Sequence, residues 1–380
     1  MMKTAIVILN WNTPDYLKKF LPGVLAAAGC GKDGDPEGAQ AEVIVADNAS
    51  EDISASVMKH FFPKVRFIRL DRNYGFTGGY NRALEQLQYD GFRYYLLMNT
   101  DIEVQDGFLE PLVDFMESNP DCGACAPKLH SYQDRDMFEY AGAAGGYIDR
   151  YGYPFCRGRV INTVEKDEGQ YDGGAKNIFW ATGACMMVRA EIFHETGGFD
   201  DRFFAHMEEI DLCWRMQLSG YRICSVPDSV AWHIGGGTLP ATSPFKLRLN
   251  YRNNLLMLEN NLSRTLALEA VHKSENLAAA ASAGCWKARR VILWRMVLDG
   301  IAAIAYICSF KKEYFKAVLQ AHKEYRAMRV RTGREEIRQW LESGGSNLRV
   351  RGIYPEWMVP KAIFRRKEFI EEIRDFQNRV

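Results

Sequence analysis

The sequence predicts an α/β protein built on a mostly parallel sheet with helices on both faces, followed by a helical C-terminal extension. Three observations carry this reading. Over the first 130 residues short apolar runs alternate with longer segments of helical spacing. The short runs are apolar nearly throughout rather than at every second position, as in strands covered on both faces. Beyond Thr242 the strand signals give way to long helical patterns.

In order, residues 4–9, 42–46, 65–70, 94–98 and 122–126 read as strands, and 14–27, 53–61, 77–87 and 108–117 as the helices between them. From 136 to 174 the periodicity breaks into Gly- and Tyr-rich pieces, predicting an irregular hairpin or flap. Residues 178–188 read as one strand, 208–218 as a helix and 229–233 as a strand. This sets a unit over residues 1–240 against a helical region over 241–380.

Composition narrows the function classes. The 380 residues carry a formal net charge of +0, so no global field selects nucleic acid or acidic partners. Nine cysteines without repeating spacing predict reduced thiols in a cytoplasmic protein. Cys122-Gly123-Ala124-Cys125 lies in an apolar run with no second Cys/His pair nearby, so a buried strand is the better reading than a zinc or redox site. The N-terminal run from Lys3 to Leu9 reads as a first strand rather than a signal peptide.

Residues 286–334 are rich in Lys and Arg, and 291–310 within them has the length of a bilayer span. Arg295 and Asp299 interrupt that stretch, and charges at bilayer depth are costly. A basic helix lying in the interface against anionic headgroups is therefore expected, in competition with a helical subdomain packed on the core.

Ligands of parallel sheets bind outside the carboxyl ends of the strands. Polar segments stand at four such ends: Asn10-Trp11-Asn12, Asp47-Asn48, Asp71-Arg72-Asn73 and Asn99-Thr100-Asp101. Asp47 has the chemistry to accept hydrogen bonds from a pyrimidine N–H or a ribose hydroxyl, although Asp-Asn-Ala-Ser is also good turn chemistry. Asp101 is a hard oxygen ligand suited to Mg²⁺ or Mn²⁺ on a diphosphate; Asn99 stands where a second Asp would complete an Asp-x-Asp pair. The glycine-rich run from Asn73 through Gly75 and Gly79 to Asn81 enters a helix, where backbone N–H groups favour phosphate or sugar. Glu208-Glu209-Ile210-Asp211 opens a helix with clustered carboxylates, which raise one another's pKa and poise a base, or which simply answer the helix dipole. His233 ends a strand ahead of Gly235-Gly236-Gly237, a place for a metal or diphosphate contact, although a lone His is more often structural. No G-x-G-x-x-G follows the first strand, which disfavours a nicotinamide enzyme.

Taken together, these segments resemble the family 2 glycosyltransferases, closest to the rhamnosyltransferase-like branch. Val7-Ile8-Leu9-Asn10-Trp11-Asn12, Val45-Ala46-Asp47-Asn48-Ala49-Ser50, Asn73-Tyr74-Gly75-Phe76 through Asn81 and Met98-Asn99-Thr100-Asp101 carry the likeness. Trp180-Ala181-Thr182-Gly183-Ala184, Gly197-Gly198-Phe199-Asp200, Glu208 through Arg215 and Trp232-His233 follow in the same order. The resemblance implies a Rossmann-like GT-A fold, with a nucleotide-binding half over 1–130 and an acceptor half over 131–240. It implies inverting transfer of a rhamnose-like hexose from a dTDP- or UDP-linked donor to a saccharide or lipid-linked saccharide, in surface polysaccharide synthesis on the inner face of the cell membrane. Leu9, Trp11 and Asp47 would then sit at the nucleoside, with Asn10, Asn73, Gly75, Gly79, Asn81 and Asn99 around the rest of the donor. Asp101 and His233 would hold Mg²⁺ or Mn²⁺, and Trp180 and Gly183 would border the acceptor. The family carries Glu-Asp where this chain has Glu208-Glu209, so Glu209 is the candidate base, with Glu208 and Asp211 open. Asn99 and Glu209 also leave a competing class, a GT-A protein that binds nucleotide or carbohydrate without turnover.

Overall fold

A computed structural model describes residues 3–235, 242–271 and 276–380. The glycines that follow Gly235 and the 240/241 boundary lie outside the described residues. Strands β1 (Thr4–Asn10), β2 (Ala41–Asp47), β3 (Arg66–Arg69) and β4 (Tyr94–Asn99) pair in parallel in the order β3-β2-β1-β4. Helices α1 (Pro14–Ala28), α2 (Ser54–Phe61) and α3 (Gly75–Leu87) connect them. Both faces of β1 are apolar: Ala5 and Val7 enter one core, Ile6 and Ile8 the other. That is why its run lacks alternation. The register sets Asn10 beside Asp47 and Leu9 beside Asn99, so the loops after three strands leave the sheet at one edge.

The sheet continues through β5 (Ile102–Val104), β6 (Cys122–Ser131), β11 (Lys176–Ile178), β12 (Cys185–Arg189) and β13 (Arg222–His233), with α4 (Leu109–Ser118) on one face. Strand β12 runs antiparallel between β4 and β6. Cys122 and Cys125 are buried free thiols on β6.

Two strand expectations need correction. The strand expected over 178–188 is two strands. Between them Phe179 and Trp180 donate their backbone N–H groups to Gly146 and leave the main sheet. The strand expected over 229–233 begins at Arg222, and a break in register between Val226 and Val230 conceals its first half.

The segment expected to be an irregular flap contains β7 (Gly146–Asp149), β8 (Pro154–Cys156), β9 (Arg159–Val160) and β10 (Thr163–Val164), an antiparallel run. This second sheet is closed by β14 (Ile353–Tyr354), which pairs in parallel with β7 from far along the chain. Helices α5 (Ala190–Glu195) and α6 (Glu208–Leu218) precede β13. The C-terminal region is dominated by α7 (Pro244–Val271), α8 (Leu277–Cys308) and α9 (Lys312–Met328).

Helix α7 lies against α6, and polar side chains line the contact. In α8, Arg295 and Asp299 are buried and paired with each other at 2.9 Å, and Asp299 also meets His322 of α9 at 3.2 Å. The two charges that interrupt the apolar stretch therefore face the protein. The opposite face carries exposed Leu293, Trp294, Val297, Ile301, Ile304 and Ile307.

Candidate active site

The strand order delivers Asp101 and His233 to one point. His233 ends β13, which pairs antiparallel with β5 so that His233 stands opposite Ile102, next to Asp101. Its Nε2 lies 3.2 Å from Asp101 Oδ1 and 3.5 Å from Asn99 Nδ2, and its Nδ1 lies 3.3 Å from Glu139 Oε1. Burial opposes the imidazolium, but the contacts with Asp101 and Glu139 prevail and push His233 up to about 10. Burial would likewise raise Asp101, yet His233 holds its carboxyl below the ordinary range.

Two ligands at right angles on one ion, each about 2.1 Å from it, stand about 3.0 Å apart. The 3.2 Å separation of Asp101 Oδ1 and His233 Nε2 matches adjacent positions on a divalent cation. Glu139 on the other ring nitrogen is the usual partner that orients a metal-ligating histidine. No cluster of three or more His, Cys, Asp or Glu able to hold a metal occurs among the described residues, so such an ion would draw its remaining ligands from a bound diphosphate and water.

The clustered acids divide sharply. Asp211 is fully buried and spent: Arg215 reaches it at 2.7 Å, and Asn260 and Asn261 of α7 donate to it at 2.9 and 2.8 Å. Its place among the candidate bases is corrected to a structural one. Glu208 and Glu209 each keep a buried carboxylate oxygen without a hydrogen-bond partner among the described residues. Burial pushes Glu209 from 4.5 to about 7, against backbone N–H groups at the start of α6 that favour its charge. Burial and the neighbouring Glu209 charge push Glu208 well above the ordinary carboxylate range as well.

The turn before β12 joins this acid to the Asp101–His233 pair. Asn99 donates its backbone N–H to Ala184 at 2.9 Å. A Cβ placed on neighbouring Gly183 would stand 3.5 Å from that of Glu209 and 3.3 Å from the Phe76 ring. Gly183 is buried and lets this turn pack closely against Glu209 and Phe76. Trp180 is buried too: it donates its indole N–H to Tyr147 at 3.0 Å and packs against Gly146, so its expected border role is corrected to core.

The donor-side residues also split. Trp11 is 39 % exposed at the end of β1, with Leu9 partly buried behind it. Asp47 is fully buried. It accepts from Asn10 Nδ2 at 2.7 Å and from the Ser50 hydroxyl and backbone N–H at 2.5 and 3.1 Å, with Arg69 at 3.7 Å. The expected nucleoside contact is corrected: this carboxylate is consumed inside the protein and holds two cleft loops together. Asn10 is its partner, and the chain of contacts runs on through Thr13 to Thr100, beside Asp101.

The glycine-rich turn is corrected in the same sense. The backbone N–H groups of Tyr74 and Gly75 go to the side chains of Asn48 and Asn73, and those of Phe76 and Thr77 to the Phe204 carbonyl, so none faces a phosphate. A Cβ on Gly75, at φ +73°, would lie 2.5 Å from Phe204; one on Gly79 would lie 2.9 Å from Leu9. These glycines permit close packing of α3. Asn81 pins the following loop, donating to Phe199 and Asp201 and accepting from Phe199.

Residues 5–197, just over half of the chain, match the family model described as glycosyl transferase family 2. The chain belongs to that family. The glycosyltransferase is 26 % identical to the N-acetylglucosaminyl-diphospho-decaprenol L-rhamnosyltransferase of Mycobacterium tuberculosis over 60 % of this chain and 75 % of that protein. It is also 26 % identical to rhamnosyltransferase WbbL of Escherichia coli K12, over 60 % and 82 %. Its fold is similar to that of GalNAc-T7, solved with UDP, GalNAc and Mn²⁺, at TM-score 0.50 and 15 % identity over 68 % of this chain and 48 % of that one. The architecture is accordingly GT-A.

Sequence reasoning missed Glu139, which lies inside the Gly- and Tyr-rich stretch and carries no motif signal. It also missed Arg69, whose exposed side chain rims the cleft from the end of β3. His206 was missed as well: burial, with the Lys246 charge nearby, pushes it down to about 4 directly before the acidic helix. That helix is entered on a costly path. Phe204, His206 and Met207 all have positive φ, at 64°, 71° and 71°, and each non-glycine residue there costs about 1–2 kcal/mol.

Proposed function

We propose that the glycosyltransferase is inverting and metal-dependent, moving a rhamnose-like hexose from a dTDP- or UDP-linked donor to a hydroxyl of a saccharide or lipid-linked saccharide during surface polysaccharide synthesis. One observation carries the reading. Glu209, with one buried carboxylate oxygen unpartnered among the described residues, packs beside Gly183 in the turn whose Ala184 carbonyl takes the Asn99 N–H, two residues from the Asp101 that pairs with His233.

Glu209 takes the proton of the acceptor hydroxyl as that oxygen bonds to the anomeric carbon. The bond from this carbon to the donor's diphosphate breaks, and its electron pair leaves with the diphosphate. Attack from the face opposite the leaving group inverts the centre. Asp101 and His233 would hold Mg²⁺ or Mn²⁺, which neutralises charge on the departing diphosphate. To hold such an ion His233 would present an unprotonated Nε2 beside Asp101, with Glu139 3.3 Å from Nδ1 on the other side of the ring. Trp11 and Leu9 wall the nucleoside, and Gly183, packed beside Glu209, borders the acceptor.

The relatives support a rhamnose-like sugar and a lipid-linked acceptor. The exposed apolar face of α8, flanked by Lys287, Arg289, Arg290, Lys311 and Lys312, supports peripheral binding to the inner, cytoplasmic face of the membrane. The test is a thermal-shift titration with UDP and dTDP, with and without Mn²⁺, on the native protein and Asp101→Ala. A metal-dependent shift with one nucleotide, absent in Asp101→Ala, is expected. An equal shift in both proteins would remove the metal role from Asp101.

A further inference from the structure

The loop over 202–207 connects the glycine-rich Gly197-Gly198 turn to the acidic helix α6, and it carries the three left-handed non-glycine residues. Backbone in that region persists where its surroundings over-determine it. Here the surroundings come from one dipeptide on α7. Asn253 is fully buried, and its Nδ2 donates to the carbonyls of Phe203, Ala205 and His206 at 2.9, 2.8 and 2.7 Å. Arg252 Nη2 donates to Arg202 and Phe203 carbonyls at 3.1 and 2.8 Å.

Arg252 Nε also donates to Asn253 Oδ1 at 2.9 Å, which turns the amide so that its N–H₂ end faces the loop. Arg252 Nη1 is anchored by Glu324 of α9 at 3.2 Å. The loop passes the constraint on in two directions. The carbonyl of Phe204 receives the Phe76 and Thr77 N–H groups of α3, and Met207 leads directly into Glu208 and Glu209.

We infer that Arg252 and Asn253 are positioning residues: they hold the 202–207 loop in its left-handed course and thereby set where Glu209 meets the acceptor. This rests on Glu209 being the base. The bonds of the pair run to the loop and to Glu324 and not to Trp11, Asp101 or His233, so the device acts on the chemical step and leaves donor binding as it is.

The experiment compares Asn253→Ala with Asn254→Ala in the full chain. Asn254 is an equally buried neighbour whose amide goes to Gly152 at 2.6 Å and not to the loop. Release of nucleotide diphosphate is followed with dTDP-rhamnose, UDP-glucose and UDP-N-acetylglucosamine, and amide hydrogen exchange is followed over 74–77 and 202–209. Asn253→Ala is expected to lower kcat at least tenfold, keep donor KM within twofold and speed exchange in both segments. Asn254→Ala should keep native kcat and native exchange there. Native exchange and kcat in Asn253→Ala, or equal losses in Asn254→Ala, overturn the inference. Glu209→Gln is measured alongside: if it keeps turnover, the base assignment fails, and the exchange result still decides the clamp.

Discussion

Replacing Glu209 with Gln should make the enzyme more stable at pH 8 while removing its turnover. Burial raises this carboxyl from 4.5 to about 7, so the folded protein holds the proton more tightly than the unfolded chain. A group raised in this way gives its full stabilisation below pH 4.5 and loses it as pH climbs through 7. From that difference, the penalty for ionising Glu209 grows from about 1 kcal/mol at pH 5 to about 3 kcal/mol at pH 8. Gln escapes the penalty, but its buried amide lacks partners, which costs about 1 kcal/mol. The net gain at pH 8 is about 2 kcal/mol. With an unfolding entropy near 2.1 cal/mol/K per residue, that is a rise in Tm of about 2–3 °C, falling to none at pH 5. The assay is calorimetry of both proteins at the two pH values, together with sugar transfer. The native enzyme should lose about tenfold in kcat between pH 8 and pH 6, as the ionised fraction of a group titrating near 7 falls. A Gln variant that transfers sugar at the native rate, or whose Tm difference is the same at pH 5 and 8, refutes the reasoning.

Other outcomes follow from the same geometry. Asp211→Ala should unfold more easily by about 3 kcal/mol in urea titration, because Arg215 loses its buried counter-charge and Asn260 and Asn261 lose a shared acceptor. Asp211→Asn, judged by kcat at 25 °C, should lose far less than Glu209→Gln. Trp11→Ala should raise donor KM about tenfold with kcat nearly unchanged, since it removes a wall contact of about 1–2 kcal/mol rather than chemistry. Ile301→Asp with Ile304→Asp should abolish sedimentation with vesicles containing anionic phospholipid while leaving transfer to a soluble acceptor intact. High salt should weaken the native protein's binding to the same vesicles.

The strands and helices of the first 130 residues were legible because each is a short apolar run or an amphipathic repeat of ordinary length, bounded by turn residues. The gathering of Asp101 and His233 was legible through the rule that parallel strands present their carboxyl ends together. Glu209 stood out as an acid opening a helix. What misled was chemistry that serves packing and binding alike. Asp47, the glycine run and Asn81 have residue types a nucleotide would want, and in the folded chain their polar groups meet partners brought from other elements. Asn48 and Phe204, not a phosphate, receive the start of α3.

Sequence alone therefore determined the layer order, the strand edge where Asp101 and His233 meet and the family, because periodicity and motif order are local properties. Tertiary structure decided which acids are free, which face of α8 looks outward, and that α7 and β14 from the C-terminal region complete the site's surroundings. These depend on contacts between residues tens to hundreds of positions apart. A side chain's ionisation and exposure are set by such neighbours and leave no trace in the residues beside it.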